Sequence, residues 1–262
     1  MRLVASTDGK TFLEPTILRT PHDYQEAIKL FVETAKNITS NEKIIAAGGG
    51  IRGVLDEENS KLIRDFHLTD WVNKPLKKDL EDQLNTKIYL ENDAALAALG
   101  EATMGIGQGK NIIAYITVST GLGGARVVNG KIDASAMGFE PGNQIIIQEG
   151  DFNKLKTFES YVSGKAIEQI YGKPPSEITD PAIWEKVAEQ LSIGLTNIIV
   201  LWSPDILILG GTTMQSIPIE KVKHNLSHTL KIFPTLPEIE LGTLGDENGL
   251  YGALEYLKQQ RS

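Results

Sequence analysis

Apolar and polar positions follow two different periods along this chain, and each period is typical of one kind of secondary structure. Short stretches with the apolar patterns typical of strands, continuous or alternating, are found at 43–47, 87–90, 112–118, 145–147, 206–209 and 238–244. Stretches with apolar residues at helical spacing or of strongly helical composition are found at 20–35, 76–84, 94–99, 158–171, 181–202, 219–230 and 250–258. Because strands and helices alternate throughout, the chain is predicted to be an α/β protein.

Three finer predictions come from local patterns. Residues 2–6 and 12–19 are predicted to form a hairpin, because a turn-forming pair separates them. Residues 43–47 are predicted to form a short strand that ends before the glycines that follow it. The helix 181–202 is amphipathic at first and mostly apolar from Ile193 onwards, so its far end is expected to be buried.

The stretch 111–131 is predicted to be a strand (112–118), a glycine loop (119–124), a second strand (125–128) and a tight turn. Asn129 followed by Gly130 is the strongest short hairpin signal, since both central residues of a type I′ turn need positive φ. The loop leads into a strand, whereas a dinucleotide fingerprint or a GKS-type phosphate loop must open a helix. Two interpretations stay open: a bend whose amides bind an anion beside the Ser119 and Thr120 hydroxyls, and an ordinary hairpin bend.

Polar residues and glycines follow two of the predicted strands. Asn92 and Asp93 come directly before a helical run, where either residue would serve as the helix cap. Only one of the two residues is needed as the cap. The second lies at the carboxyl edge of a strand, where open α/β sheets bind ligands, and is a candidate functional residue. The glycine-rich segment 48–53 either lets a ligand or another backbone approach closely or is a flexible turn.

Composition narrows the class of protein. A chain of 262 residues is long enough for one large domain or two modest ones, and its net charge of -8 argues against a general nucleic-acid binder. It contains no apolar run of the roughly 20 residues that span a bilayer and no signal pattern, so a cytoplasmic protein is expected. Without cysteine there is no disulfide, no catalytic thiol and no cysteine-ligated zinc. His224 and His228 are expected to face solvent on one helix.

Five motifs, in order along the chain, closely resemble the ROK (repressor, ORF, kinase) family of sugar kinases and sugar-responsive repressors. They are Leu90-Glu91-Asn92-Asp93-Ala94, Ser119-Thr120-Gly121-Leu122-Gly123-Gly124, Gly138-Phe139-Glu140-Pro141-Gly142-Asn143, Glu159 with Ser163-Gly164, and Leu209-Gly210-Gly211. The resemblance implies a two-domain actin-like ATPase (ribonuclease H-like) fold with an interdomain cleft. It also implies a smaller domain of residues 1–110 plus 247–262 and a larger one of residues 111–246.

The resemblance further implies an ATP- and Mg²⁺-dependent kinase that phosphorylates a hexose or an N-acyl hexosamine. Asp93 would be the general base that takes the proton of the attacking sugar hydroxyl. The sugar would be held by Asn92, Glu140, Asn143 and Glu159. The nucleotide would be held by Ser119, Thr120, Gly121, Gly123, Gly124, Gly210 and Gly211. No residue is assigned as a metal ligand, and the family suggests a homodimer.

The sequence departs from the family pattern in three places. The chain starts just after the point where the family's Asp-x-Gly-Gly-Thr phosphate loop is expected, and this favours the alternative of a non-catalytic sugar-binding protein. Asn143 stands where many members have histidine, and residues 151–157 replace a cysteine-rich zinc segment, so no structural zinc is expected. No helix-turn-helix domain precedes Met1, so DNA binding is not expected. An actin-like ATPase with a different substrate is a third hypothesis, and the particular sugar stays open.

Overall fold

The computed structural model describes residues 1–147 and 155–261, in which strands and helices alternate along the chain. The strands are β1 (Arg2–Leu3), β2 (Thr16–Ile17), β3 (Ala46–Ile51), β4 (Val54–Leu55), β5 (Leu62–Arg64), β6 (Lys87–Asn92), β7 (Ile112–Val118), β8 (Leu122–Val128), β9 (Lys131–Ile132), β10 (Ile145–Ile147), β11 (Lys156–Thr157), β12 (Ile206–Gly210) and β13 (Glu238–Leu241). The helices are α1 (Tyr24–Ile38), α2 (Leu76–Leu84), α3 (Asp93–Thr103), α4 (Glu159–Val162), α5 (Gly164–Tyr171), α6 (Pro181–Trp202), α7 (Ile219–Thr229) and α8 (Asn248–Arg261).

The chain divides into two compact units. Unit 1 comprises Met1–Gly100, Ala134–Gly138 and Gly249–Ser262, and unit 2 comprises Glu101–Asp133 and Phe139–Asn248. Helix α3 therefore begins in unit 1 and ends in unit 2. None of the helices in the described ranges is long and apolar enough to cross a membrane.

Unit 1 is built around the parallel pair β3 and β6, whose register runs from Ala46 opposite Lys87 to Ile51 opposite Asn92. Two antiparallel pairs, β1 with β2 and β4 with β5, accompany it. One apolar cluster joins β3, β4, β5 and β6 to α1 and α2. Its members include Tyr24, Ile28, Ile51, Leu55, Leu62, Trp71, Leu76, Leu80, Ile88 and Leu90. The carboxyl ends of β3 and β6 are thereby held side by side.

Unit 2 is built around a five-stranded sheet in the order β13-β12-β7-β8-β9. Strands β13, β12 and β7 are parallel, whereas β8 and β9 continue the sheet in antiparallel pairs. The turn between β8 and β9 has φ of 51° at Asn129 and 72° at Gly130, so the predicted pair of positive φ angles is confirmed. Residues of α4, α5, α6 and α7 form one apolar core with this sheet.

Helix α6 has the predicted bounds, and Asp180 caps it by accepting a hydrogen bond from the amide of Ala182. The prediction that its far end is buried is wrong, because the last two turns have apolar residues on both faces. Leu195, Ile198 and Ile199 are buried on one face, whereas Ile193, Val200 and Leu201 are exposed, Leu201 to 77%. An apolar composition therefore did not specify which face packs.

Several other predicted bounds are wrong. The amino-terminal hairpin has only two residues in each strand, and β3 continues through the glycines to Ile51. The helix predicted over 158–171 is two helices, because Ser163 is extended and caps α5 by accepting from the amide of Ala166. Strand β13 ends at Leu241 instead of residue 244. His224 and His228 are both exposed, as predicted, with ring centroids 4.3 Å apart.

Glu101 is a fully buried carboxylate that the sequence patterns did not single out. Its side chain accepts hydrogen bonds from the amides of Thr243 (3.1 Å) and Leu244 (2.9 Å), and a longer one from the amide of Ile106 (3.4 Å). Amide donors satisfy a buried carboxylate that would otherwise be costly to desolvate. Glu101 therefore fastens the end of α3 to the loop after β13 within unit 2.

Candidate functional site

Asn92 and Asp93 lie where β6 ends and α3 begins, and the structure gives them different tasks. The Oδ1 atom of Asn92 accepts hydrogen bonds from the amides of Ala94 (2.9 Å) and Ala95 (3.1 Å), so Asn92 caps the helix. Its Nδ2 atom donates to the carbonyl oxygen of Gly53 at 3.2 Å. Asp93 is therefore the surplus residue of the pair, and its backbone is held by the cap beside it.

The Asp93 side chain is accessible to solvent, and its Oδ1 atom accepts from the amide of Ala94 at 2.9 Å. Desolvation by the surrounding protein raises the pKa of Asp93 above its ordinary value. The Ala94 amide and the positive charge of Arg52 oppose that rise, and the negative charge of Asp65 adds to it. A carboxylate with a raised pKa is a stronger base, which suits it to accept a proton near neutral pH.

Gly50, in β3, explains part of the glycine-rich segment. A Cβ atom at this position would lie 2.9 Å from the Cα atom of Asp93 and 3.3 Å from its Cβ atom. The glycine therefore lets the backbone at Asp93 approach β3 closely. Of the two interpretations of segment 48–53, the approach of another backbone is the one that applies to Gly50.

Arg52 and Asp65 form an ion pair next to this strand end, and no sequence motif pointed to either residue. The Nε atom of Arg52 donates to Oδ2 of Asp65 at 2.9 Å. The other oxygen of Asp65 accepts from the amides of His67 and Leu68, each at 2.6 Å. Desolvation opposes the ionisation of Asp65, but the Leu68 and His67 amides and Arg52 outweigh it, so the pKa of Asp65 is lowered.

Glu91 directly precedes Asn92 and Asp93 and is largely desolvated. Desolvation raises its pKa, although hydrogen bonds from the Asn92 amide, Asn59 and Tyr256 favour the charged form. The Asn92 amide donates to Oε1 at 2.8 Å and Asn59 Nδ2 donates to Oε2 at 3.1 Å. Glu91 thus supports the backbone of β6 just ahead of Asp93.

In unit 2 the glycine loop is a tight bend of three residues, 119–121, between β7 and β8. The Ser119 amide donates to the Gly121 carbonyl oxygen at 2.9 Å. The Ser119 carbonyl oxygen accepts from the amide of Gly164 (2.7 Å) and from Oγ1 of Thr213 (3.1 Å). The Thr120 carbonyl oxygen accepts from the amide of Lys165 at 3.2 Å. The amides at the start of α5 therefore hold the bend through the carbonyl oxygens of Ser119 and Thr120.

Hydroxyl groups lie together at this bend. The Oγ atom of Ser119 and the Oγ1 atom of Thr212 are 3.0 Å apart and form a hydrogen bond. Thr212 follows β12 and is exposed, and it was not among the residues expected from the sequence. Its place beside Ser119 depends on the parallel pairing of β12 with β7, which a local motif does not reveal.

Of the four other glycines expected at a nucleotide, Gly124, Gly210 and Gly211 have packing roles in the described structure. Gly123 and Gly124 lie inside β8, opposite Thr117 and Ile116. A Cβ atom at Gly124 would meet the Tyr115 carbonyl oxygen, one at Gly210 would meet the Tyr115 hydroxyl, and one at Gly211 would overlap the Val118 carbonyl oxygen. Gly211 also has a φ of 95°. Their contacts with a nucleotide stay a prediction.

Glu159, Glu140 and Asn143, the expected sugar-binding residues of unit 2, fall into two linked groups. Oε2 of Glu159 accepts from the Leu122 amide at 2.8 Å, which joins α4 to the bend. Asn143 Nδ2 donates to Oε2 of Glu140 at 3.1 Å across a 3₁₀ turn, Pro141–Asn143. Gly142 joins the groups, since a Cβ atom there would lie 2.5 Å from the Leu122 carbonyl oxygen and 3.4 Å from Glu159.

No group of three or more histidine, aspartate or glutamate side chains in the described ranges is arranged to hold a metal ion. Residues 151–154, which begin the segment that replaces the family's zinc-binding stretch, lie outside the described residues. Mg²⁺ in kinases is usually held by one or two carboxylates together with substrate phosphates, so such a group is not required.

The profile of the ROK family matches residues 2–260. A glucokinase of Thermotoga maritima is 25% identical over 298 aligned residues, which cover 98% of this chain and 93% of that protein. The crystal structure of a ROK hexokinase from Thermus thermophilus has a TM-score of 0.80 at 26% identity, covering 97% of this chain and 94% of that one. A ROK family glucokinase from Streptomyces griseus, in complex with glucose and AMPPNP, has a TM-score of 0.80 at 22% identity, covering 96% and 94%. The predicted actin-like ATPase fold is confirmed by these matches.

Proposed function

Because the chain belongs to the ROK family, we propose that it transfers a phosphoryl group from ATP to a hydroxyl of a hexose or an N-acyl hexosamine. The similarity to a glucokinase along nearly the whole chain supports sugar phosphorylation in general. The assignment of Asp93 as the general base rests on the different roles of two adjacent side chains at the end of β6. Asn92 caps the helix, and this leaves Asp93 as an accessible carboxylate with a raised pKa.

In the proposed reaction Asp93 accepts the proton of the sugar hydroxyl that attacks the phosphoryl group. Phosphoryl transfer asks mainly for positioning and charge stabilisation, so a base with a fixed backbone suits it. The Asn92 cap and the close contact at Gly50 fix the backbone of Asp93. Asn92 keeps a second N–H on Nδ2, which it would donate to a neighbouring sugar hydroxyl.

The sugar contacts of unit 2 would come from Glu140, Asn143 and Glu159. Carboxylate oxygens accept hydrogen bonds from sugar hydroxyls, and an amide both donates and accepts. The Glu140–Asn143 hydrogen bond orients both side chains, and the Leu122 amide leaves Oε1 of Glu159 for a hydroxyl. These acceptors suit glucose, mannose and their 2-acylamino derivatives.

ATP supplies the transferred phosphoryl group, and the bend of unit 2 has the donors that phosphate oxygens need. Ser119, Thr120 and Thr212 bring three hydroxyls, and Gly121 brings a backbone amide without a side chain. Gly123, Gly124, Gly210 and Gly211 would let the backbone run close to the nucleotide. Mg²⁺ would be held chiefly by the phosphates.

The test compares the parent chain with Asp93→Asn, which keeps the shape of the side chain and removes its basicity. Sugar-dependent ADP release is measured with glucose, mannose and their 2-acetamido derivatives, and sugar binding is measured by calorimetry. General-base catalysis contributes about 10²- to 10⁴-fold, so turnover should fall by that factor while sugar binding is retained. Asp82→Asn, at an exposed carboxylate paired with Lys78, is the matched control and should turn over like the parent.

Equal turnover in the parent and in Asp93→Asn would overturn the assignment of the base. Sugar binding by the parent without any ADP release would instead establish a non-catalytic sugar-binding protein. ATP hydrolysis that does not depend on sugar would establish an ATPase with a different substrate.

A further inference from the structure

Arg52 follows β3 in the way that Asp93 follows β6. The two strands are parallel, and Ile51 opposite Asn92 is their last pair, so the next residue on each strand is Arg52 and Asp93. The close contact between Gly50 and the backbone of Asp93 brings the two strand ends still nearer. The residues that carry a guanidinium group, Arg52, and a carboxylate, Asp93, thus directly follow neighbouring strands at the same end of the parallel pair.

Asp65 restrains Arg52 in this place. The Asp65 side chain is only 5% exposed, whereas that of Arg52 is 44% exposed. Asp65 is itself held by two amides of its own loop, at His67 and Leu68. A nearly buried carboxylate with fixed donors is a rigid anchor, and it restrains the Arg52 side chain through Nε.

We propose that Arg52, anchored by Asp65, is a positioning residue that acts on the Asp93 carboxylate through its charge. The inference rests on the proposed function, because it assigns Arg52 a part in the reaction for which Asp93 is the base. It names a residue outside the five motifs of the ROK resemblance.

Two charged groups affect the ionisation of Asp93: Arg52, at the end of β3, and Asp65, in the loop after β5. Desolvation favours the protonated form of Asp93, and Asp65 acts in the same direction, whereas Arg52 favours the ionised form. Arg52 therefore keeps the base ionised near neutral pH although its surroundings are partly desolvated. The same charge limits how strongly Asp93 binds the proton that it takes from the sugar.

The experiment measures the ionisation of Asp93 directly and without turnover. The carboxyl group of Asp93 is followed by ¹³C NMR as a function of pH in the full chain, and Asp93→Asn identifies its signal. Arg52→Met removes the charge and keeps much of the length, so the midpoint should rise by about one pH unit. Arg52→Lys keeps a charge and should stay closer to the parent. Arg64→Met, at an exposed arginine that stacks on Phe66, should leave the midpoint unchanged.

Kinetics supply the second measurement. In Arg52→Met the acid limb of the rate profile should move upwards with the NMR midpoint, so the loss of turnover should be largest at low pH and shrink as pH rises. Arg52→Gln takes the place of Arg52→Met if the latter does not fold.

An unchanged NMR midpoint in Arg52→Met or Arg52→Gln would overturn the inference, even where turnover falls equally at every pH. A raised midpoint in a chain that releases no ADP would uphold the charge coupling and overturn the proposed function instead. Turnover that depends on Asp93, together with an unchanged midpoint, would uphold the proposed function and overturn the charge coupling.

Discussion

The end of β6 in unit 1 and the bend after β7 in unit 2 carry the candidate residues of their units, and they are built from different chemical groups. Around Asp93 the essential features are ionisable side chains, since Arg52 and Asp65 stand beside it and desolvation changes its pKa. At the bend they are backbone groups and hydroxyls, held by the start of α5 and by Thr213.

This difference predicts different weaknesses. A charge is sensitive to pH and to substitution at neighbouring ionisable residues. A backbone bend is insensitive to pH over the range in which amides and hydroxyls keep their protons. It tolerates no extra atoms where two segments of the backbone are in contact. Each of the following predictions tests one side of the comparison.

The largest effect is expected at Gly211 in unit 2. Gly211→Ala would place a Cβ atom on the Val118 carbonyl oxygen at a residue whose φ is 95°, so both overlap and backbone strain oppose it. We expect a loss of about 3 kcal/mol in the free energy of unfolding and a Tm lower by about 10 °C. Gly172→Ala has a positive φ but open space around it, and should cost only about 1 kcal/mol. Similar losses in the two variants would contradict the role of the contact.

A smaller loss of stability is expected at Gly50 in unit 1. The added Cβ atom of Gly50→Ala must displace the backbone at Asp93, which we expect to cost about 1–2 kcal/mol and to lower turnover by about 10- to 100-fold. Gly49→Ala, the adjacent glycine with open space around it, is the control for both denaturation and ADP release. If both variants kept parental turnover, the close approach of β3 would have no bearing on the base.

Ser119→Ala tests the hydroxyls at the bend. It removes the hydrogen bond to Thr212, and its effect on the free energy of unfolding should stay within about 1 kcal/mol. If the hydroxyl also donates to a phosphate, the KM for ATP should rise about fivefold at pH 7 and above, where the phosphate is ionised, because the Ser119 hydroxyl does not titrate there. Ser227→Ala, at an exposed hydroxyl bonded to a helix carbonyl, is the control. A change in KM confined to low pH would point to a titrating group instead.

The smallest effect is on the stability of unit 1, and it depends on pH. Because the folded state raises the pKa of Asp93, ionisation of this group opposes folding: stability is greatest below the ordinary pKa and is lost as pH rises through the folded value. Asp93→Asn should therefore melt at a slightly higher temperature than the parent at pH 7, and the difference should vanish below about pH 4. A lower Tm at pH 7 would show that the carboxylate stabilises the fold.

Sequence patterns predicted best where local chemistry decides the structure. Pro181 marks the start of α6, and the asparagine-glycine pair at 129–130 marks a hairpin turn. The order of motifs also identified the ROK family, which the comparisons confirm. In each case a few adjacent residues suffice, because a cap, a turn or a motif is completed within one stretch of chain.

Contacts between distant stretches were not predictable in this way. Arg52 and Asp65 are thirteen positions apart, and the antiparallel pairing of β4 with β5 brings their surroundings together. Thr212 reaches Ser119 only because β12 pairs with β7. The strand bounds at β3 and β8 were wrong because glycine was taken to end a strand, whereas close packing is what requires it. The predicted domain bounds stay a prediction.

Glu101 also bears on the order of events during synthesis. Its carboxylate lies at the end of α3, whereas the amides of Thr243 and Leu244 are translated about 140 residues later. A nascent chain that stops short of those amides leaves this acid without two of its donors. The hydrogen bonds of Glu101 are therefore completed only after residues 243 and 244 have left the ribosome.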